Sequence, residues 1–316
     1  MNLFRFTFLT LAATFVLLIV GGTVNPTGSS LACPDWPLCY GSLFPEMVNG
    51  VEFEHTHRLV ATLVGLLTTG LLIGIWLRRK TDRRLRVLAI GLFVMVALQG
   101  VLGGITVIYK LPLAVSTGHL ALAMFFFLSL IYSTFRIKAG PAHADDPAPL
   151  KRGLVLVAGL AVYLQILLGA FVRHTKSGQV CDNDWLMCKG VLWPSFAPAQ
   201  LHMSHRFVGV LLAFLVFAAA IAAAREAHRH DRKLAYYAAI VVPFLTLLQI
   251  LLGMLTVHSR IGLLEVSAHL GVGALILATF AVIYLGLGPM AVRTAVVAPE
   301  KAPTRRIVPL EEPGRP

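Results

Sequence analysis

The stretch Gln99-Gly-Val-Leu-Gly103-Gly-Ile-Thr-Val107 returns 150 residues later as Gln249-Ile-Leu-Leu-Gly253-Met-Leu-Thr-Val257. In both copies a His-Leu pair follows the glutamine after 20 residues, His119-Leu120 in the first and His269-Leu270 in the second. Upstream stand His57-Arg58 and His205-Arg206, each opening an apolar run. Further upstream are Cys33-Pro-Asp-Trp-Pro-Leu-Cys39-Tyr-Gly41 and Cys181-Asp-Asn-Asp-Trp-Leu-Met-Cys188-Lys-Gly190. Before these come Gly21-Gly22-Thr23-Val24 and Gly169-Ala170-Phe171-Val172. Landmarks kept in one order define a tandem duplication with a period of about 150 residues.

The material between the landmarks is lipid-like. Hydrophobic residues make up 57% of the 316-residue chain and charged residues only 13%, whereas a soluble domain carries about 25% charged residues. A bilayer crossing takes about 20 apolar residues. Eight such stretches lie near 5–24, 57–77, 85–108, 113–135, 153–172, 205–224, 235–257 and 263–286. Pro243 inside the seventh is tolerated in a bilayer helix. Residues 5–24 have the basic flank of a signal peptide in Arg5. Their apolar core is too long for one, however, and the repeat matches their continuation deep inside the chain.

The net charge of +12 could suggest a nucleic-acid partner, but its distribution argues otherwise. Alternate connections and the two termini hold 20 of the 27 basic residues, in groups such as Arg78, Arg79, Lys80, Arg83, Arg84 and Arg86. This is the positive-inside pattern, which places both termini in the cytoplasm. The expectation is an all-α polytopic membrane protein with N-in and C-in termini. Its eight transmembrane helices form two four-helix bundles related by a pseudo-twofold axis along the membrane normal. Residues 1–138 form the first bundle, 139–152 a cytoplasmic linker, 153–290 the second bundle, and 291–316 a disordered cytoplasmic tail. With four spans per copy, both halves enter the membrane from the same side, unlike inverted-repeat transporters.

Four of the eleven histidines recur at equivalent places: His57, His119, His205 and His269. His119 and His269 fall about 10 Å inside the outer boundary, level with the other two. Ionisable groups within spans are costly and mark function. A lone histidine there would most simply hydrogen-bond a neighbouring helix. Four, paired by repeat, suit two bis-imidazole heme sites inside helical bundles. Closed zinc sites want four protein ligands, which neither half offers at one point.

All four cysteines fall in outer connections, as an oxidising compartment would favour. Cys33–Cys39 and Cys181–Cys188 would close small loops, each with a tryptophan inside. They read either as two structural staples or, for the first pair, as a labile redox-active disulfide. The halves differ at Glu54, which precedes His57 by three residues where the second half has His202. Glu54 is a candidate proton-transfer group; its plain alternative is a carboxylate favoured at a helix N-terminus. Arg58 and Arg206 could pair with heme propionates or simply snorkel at the interface.

At Glu54-x-x-His57-Arg58, His119, His205-Arg206, His269, the two cysteine loops and the Gln-x-x-x-Gly segments, the chain resembles the heme A synthase family over about residues 5–287. The resemblance implies that His57 and His119 hold the substrate heme O, while His205 and His269 hold a permanent heme b. Glu54 would assist the chemistry, with Cys33 and Cys39 linked to it functionally. The reaction implied is successive hydroxylation of a heme O methyl group and loss of water to give the formyl group of heme A. It also implies as partners membrane lipid, the farnesyltransferase that makes heme O, and an electron donor. A multi-pass position in the cytoplasmic (inner) membrane follows. Two rival functions keep the same fold: a b-type cytochrome that only carries electrons, and a periplasmic thiol oxidase using the cysteine pairs.

Overall fold

The computed structural model describes residues 2–79, 82–140, 150–182, 184 and 186–289. The expected linker and tail fall largely on residues 141–149 and 290–316, outside that set, as does Trp185. Among the described residues there are eight long helices: α1 Leu3–Val24, α2 Val51–Arg78, α3 Arg83–Ile108, α4 Leu113–Ala139, α5 Gly153–His174, α6 Ala197–Arg229, α7 Lys233–His258 and α8 Leu263–Gly286. All eight are long and apolar enough to cross a membrane. A single 3-10 turn at Ser177–Gln179 and two isolated bridges, Cys39–Ser42 and Cys188–Val191, complete the regular structure described.

Local chemistry explains the helix limits. Asn2 caps α1 by accepting the N–H of Arg5 at 2.8 Å, and Asp82 caps α3 by accepting that of Leu85 at 3.1 Å. Along α1, Thr7, Thr10 and Thr14 turn their hydroxyls back onto carbonyls four residues upstream, at 2.8 to 3.0 Å. Their oxygens are thus satisfied inside the helix that carries them, and the residues can be buried against neighbouring helices. The links α3–α4 and α7–α8 are built alike. Lys110 and Leu111 in one, Arg260 and Ile261 in the other, adopt left-handed backbone conformations. The N–H groups of Leu111 and Ile261 then close back onto Thr106 and Thr256 at 2.7 and 2.8 Å.

Two helices start earlier than the apolar pattern predicts. The second begins at Val51 rather than near 57, and the sixth at Ala197 rather than near 205. Their first turns are polar, so hydropathy passes over them. Loop contacts and Pro198 in the first turn of α6 stabilise them instead. His57 and His205 therefore stand about two turns inside their helices.

Each helix of α1–α4 packs on its two neighbours, α1 closing the ring on α4, and α5–α8 repeat the pattern. The rings meet where α1 faces α8 and where α4 faces α5 and α8. One apolar core runs through this seam, joining Leu18, Met124, Phe127 and Ile131 to Val162, Val216, Leu277 and Phe280. A second core of Leu3, Val64, Leu71, Ile75 and Leu92 belongs to the first ring. The seam also holds polar ties. Tyr163 donates its hydroxyl to the carbonyl of Ala121 at 3.0 Å, and Arg173 donates to that of Gly22 at 3.3 Å. Leu66, Phe125, Leu160, Leu211 and Phe244 point outward and are more than half exposed, the surface a lipid environment covers.

Candidate functional site

Both cysteine loops and both short links gather at one end of the bundle, called here the cysteine end. His57, His119, His205 and His269 lie inside the helices near that end, each resting on a glycine of the preceding helix. A Cβ placed on Gly21 of α1 would stand 2.9 Å from His57 Cε1, and one on Gly169 of α5 would stand 3.0 Å from His205 Cε1. The corresponding distances are 3.7 Å from Gly103 to His119 and 3.1 Å from Gly253 to His269. At Gly21, Gly169 and Gly253 the imidazole occupies space that a larger residue would fill, which gives these glycines a physical reason.

Within each ring of helices the two imidazoles are electrostatic neighbours, His57 with His119 and His205 with His269. A glutamine side chain ties down one histidine in each half. The side chain of Gln99 donates to the carbonyl of His119 at 2.9 Å, and that of Gln165 to the carbonyl of His205 at 2.8 Å. The Gln165 amide also meets His205 Nδ1 at 3.1 Å. Leu17 stands at the matching place in the first half, and His57 Nδ1 is buried without a hydrogen-bond partner. Two residues before His119 and His269, the hydroxyls of Thr117 and Ser267 are likewise buried and unpartnered. Buried polar atoms without protein partners are uncommon and favour a further group between the helices.

The donor set argues for a planar macrocycle. Among the described residues, the one group of three His, Cys, Asp or Glu side chains close enough to share an ion is Cys33, Cys39 and His55. None is centred on the four repeated histidines. Two imidazoles brought together from two helices are a donor set suited to an iron already held by a macrocycle. The residues fit a heme in each half.

Glu54 is buried and fully engaged. One oxygen accepts the backbone N–H of Cys33 at 2.9 Å, and the other pairs with Arg58 Nη2 at 2.6 Å. Arg58 Nη1 donates to the carbonyls of Asp35 and Leu38 at 2.7 and 2.5 Å. The guanidinium expected beside propionates is therefore occupied by the cysteine loop. Arg206 acts alike, donating to the carbonyls of Asp184 and Met187 at 2.7 and 3.2 Å and to His202 Nε2 at 3.2 Å. Cys33–Cys39 and Cys181–Cys188 are both disulfide-bonded.

Sequence reasoning passed over Asp35 and Asp184. Asp35 accepts the N–H groups of Tyr40 and Gly41 at 2.7 and 2.8 Å, and the Gly41 bond leads in holding its carboxyl below the usual range. Asp184 does the same with Met187 and Gly190, the Met187 bond contributing most. The signal was available: an Asp-Trp pair occurs inside both loops. His55, beside the first disulfide, meets the carbonyl of Leu43 at 3.0 Å; Met203 packs on the second disulfide.

Comparison with known proteins gives one consistent result. Residues 4–52 and 51–281 match the model of a family described as cytochrome oxidase assembly protein. A heme A synthase of Bacillus pumilus is 31% identical over 277 residues, covering 84% of this chain and 90% of that protein. One from Symbiobacterium thermophilum is 33% identical over 234 residues, with 70% and 76% covered. One from Geobacillus kaustophilus is 30% identical over 266 residues, with 82% and 83% covered.

Proposed function

Because the chain belongs to the cytochrome oxidase assembly protein family and is similar to heme A synthases over most of its length, we propose that it is a membrane-bound oxidoreductase making heme A from heme O. The reaction converts a methyl group to a formyl group by successive hydroxylation and loss of water. What supports this reading most directly is the paired imidazoles, two per half, each seated on a glycine, three of them too close to the ring to take a larger residue without a shift.

His57 and His119 hold the substrate heme O in the first half, residues 1–138, and His205 and His269 hold a resident heme b in the second, residues 153–290. Bound heme supplies the iron-centred electron and oxygen chemistry that side chains lack. The chain's own residues bind, orient and move protons. Gln165 fixes the ring of His205, as second-layer partners do for permanent ligands; Leu17 leaves His57 without that constraint, which suits a substrate that must leave. Glu54, one turn before His57 on the same helical face, supplies a carboxylate for proton movement in the first half alone. Arg58 and the Cys33 N–H hold it in one orientation. Beyond their loop contacts, Arg58 and Arg206 stand at the edge of the pockets, where their charge favours the propionates. Cys33 and Cys39 serve the same half by closing the loop that Glu54 grips.

The two halves are related by a pseudo-twofold axis along the membrane normal. The basic end and both termini face the cytoplasm, and the cysteine end faces the oxidising side of the inner membrane. A farnesyltransferase producing heme O delivers the substrate, and an electron donor supplies the reducing equivalents.

The test is to purify the protein, extract its pigments and separate them by chromatography, then supply heme O. Heme b together with heme O or heme A, and conversion of added heme O, are expected. Heme b alone with no conversion would instead identify an electron-carrying cytochrome.

A further inference from the structure

The first cysteine loop lays the side chain of Trp36 on the helical bundle, and several bonds of the loop lie on either side of that residue. The indole of Trp36 lies on Gly104 of α3: a Cβ there would stand 2.8 Å from Trp36 Cδ2, 3.0 Å from Cε3 and 3.2 Å from Cε2. Gly104 is buried beneath it. The adjacent residue, Gly103, is the seat of His119. Tryptophan and histidine therefore rest on neighbouring residues of one helix, about 1.5 Å apart along its axis.

Four bonds bracket Trp36. Arg58 holds the carbonyls of Asp35 before it and Leu38 after it, and the Asp35 carboxylate holds the N–H groups of Tyr40 and Gly41. The Cys33–Cys39 bond closes the loop around it. The second half repeats the disulfide, the arginine and the aspartate, but not the seat. Where the first half has Gly104, the second has Met254, so the glycine on which the indole rests is not repeated. Among the described residues, an indole resting beside the glycine seat of a histidine is found in the half assigned to substrate. Trp36 is also 41% exposed, so it lies at the rim and not in the core.

We propose that Trp36 is a substrate-contacting, specificity-determining residue that closes the rim of the first heme pocket beside His119, with Gly104 as its obligatory seat. The proposal rests on the assignment of heme O to His57 and His119. A broad aromatic face meeting the macrocycle edge provides apolar contact at low entropic cost. The exposed face of Trp36 is turned to the rim, where a substrate must enter and leave, a requirement the resident heme does not share.

The experiment uses the full-length protein with Trp36→Phe, Trp36→Ala and Gly104→Met, titrated with heme O and assayed separately for bound heme b. Gly104→Met and Trp36→Ala should weaken heme O binding by about tenfold, the scale on which an aromatic contact contributes, while Trp36→Phe stays close to the parent. Heme b content should be unchanged in all three, which reports an intact fold and a filled second site. Unaltered heme O affinity in Gly104→Met and Trp36→Ala would overturn the proposal. Undiminished heme O binding in His57→Ala would strike the ligand assignment beneath it instead.

Discussion

The carboxylate of Glu54 accepts a hydrogen bond from the backbone N–H of Cys33, 2.9 Å away and 21 residues earlier in the chain. Through that bond the helix bearing His57 and the disulfide loop bearing Trp36 become one rigid piece. The second half places His202 at the same position and has no such carboxylate, so only the first half couples its loop to an acid.

Replacing Glu54 separates its two roles. Glu54→Gln keeps an acceptor for the Cys33 N–H but removes the charge, and should cut heme A formation at least about tenfold while heme b stays bound. Glu54→Ala should in addition loosen residues 25–50, seen as faster proteolysis there. It leaves the part-buried Arg58 guanidinium without its ion-pair partner, a loss of about 1–3 kcal/mol. Full turnover in Glu54→Gln would remove this residue from the chemistry.

The glycine seats should respond in proportion to their closeness. Gly169→Ala puts a methyl group 3.0 Å from His205 Cε1, so the ring must shift; the heme b absorption bands should be lost or displaced. Gly21→Ala, at 2.9 Å from His57, should impair heme O binding with heme b intact. Gly103→Ala, at 3.7 Å from His119, is ordinary contact and should be nearly silent. Equal spectra for all three would contradict the seating argument.

Gln165→Leu gives the second half the residue found at the matching place in the first. Losing the amide beside His205 Nδ1 should lower heme b retention by about 10- to 100-fold. Washing the purified protein with an apoprotein heme scavenger and following the absorbance measures it. The reverse change, Leu17→Gln, should slow release of heme from the first half.

Asp35 predicts a pH dependence of fixed sign. The Gly41 N–H leads in holding its carboxyl below the ordinary value of about 4. A depressed carboxylate stabilises the loop fully above that ordinary value and loses its effect as pH falls through the folded one. The loop should therefore hold through neutral and mildly acidic pH and loosen only in strong acid. Proteolysis of residues 25–50 against pH would report this, and Asp35→Asn should flatten the profile.

The eight spans and their order were legible because bilayer helices announce themselves by length and apolarity alone. The early starts of α2 and α6 were not, since Glu52, Glu54, Gln200 and His202 look like loop residues until their loop partners are known. The four histidines stood out through repetition. The glycines beneath them were equally repeated, but which ring each would carry depends on contacts between helices that no local pattern encodes. Arg58 shows the same limit. Its charge pointed toward an anion, and the fold supplies Glu54 and two carbonyls first.

The seam between the halves is lopsided. Tyr163, whose hydroxyl reaches Ala121, corresponds to Phe15, which stacks on Phe127 instead; Arg173, bound to Gly22, corresponds to Asn25. What began as two interchangeable copies has become a left and a right piece. A chimera of two first halves would lack both ties. The duplication is thus locked into one chain whose parts now have handed, mutually dependent roles.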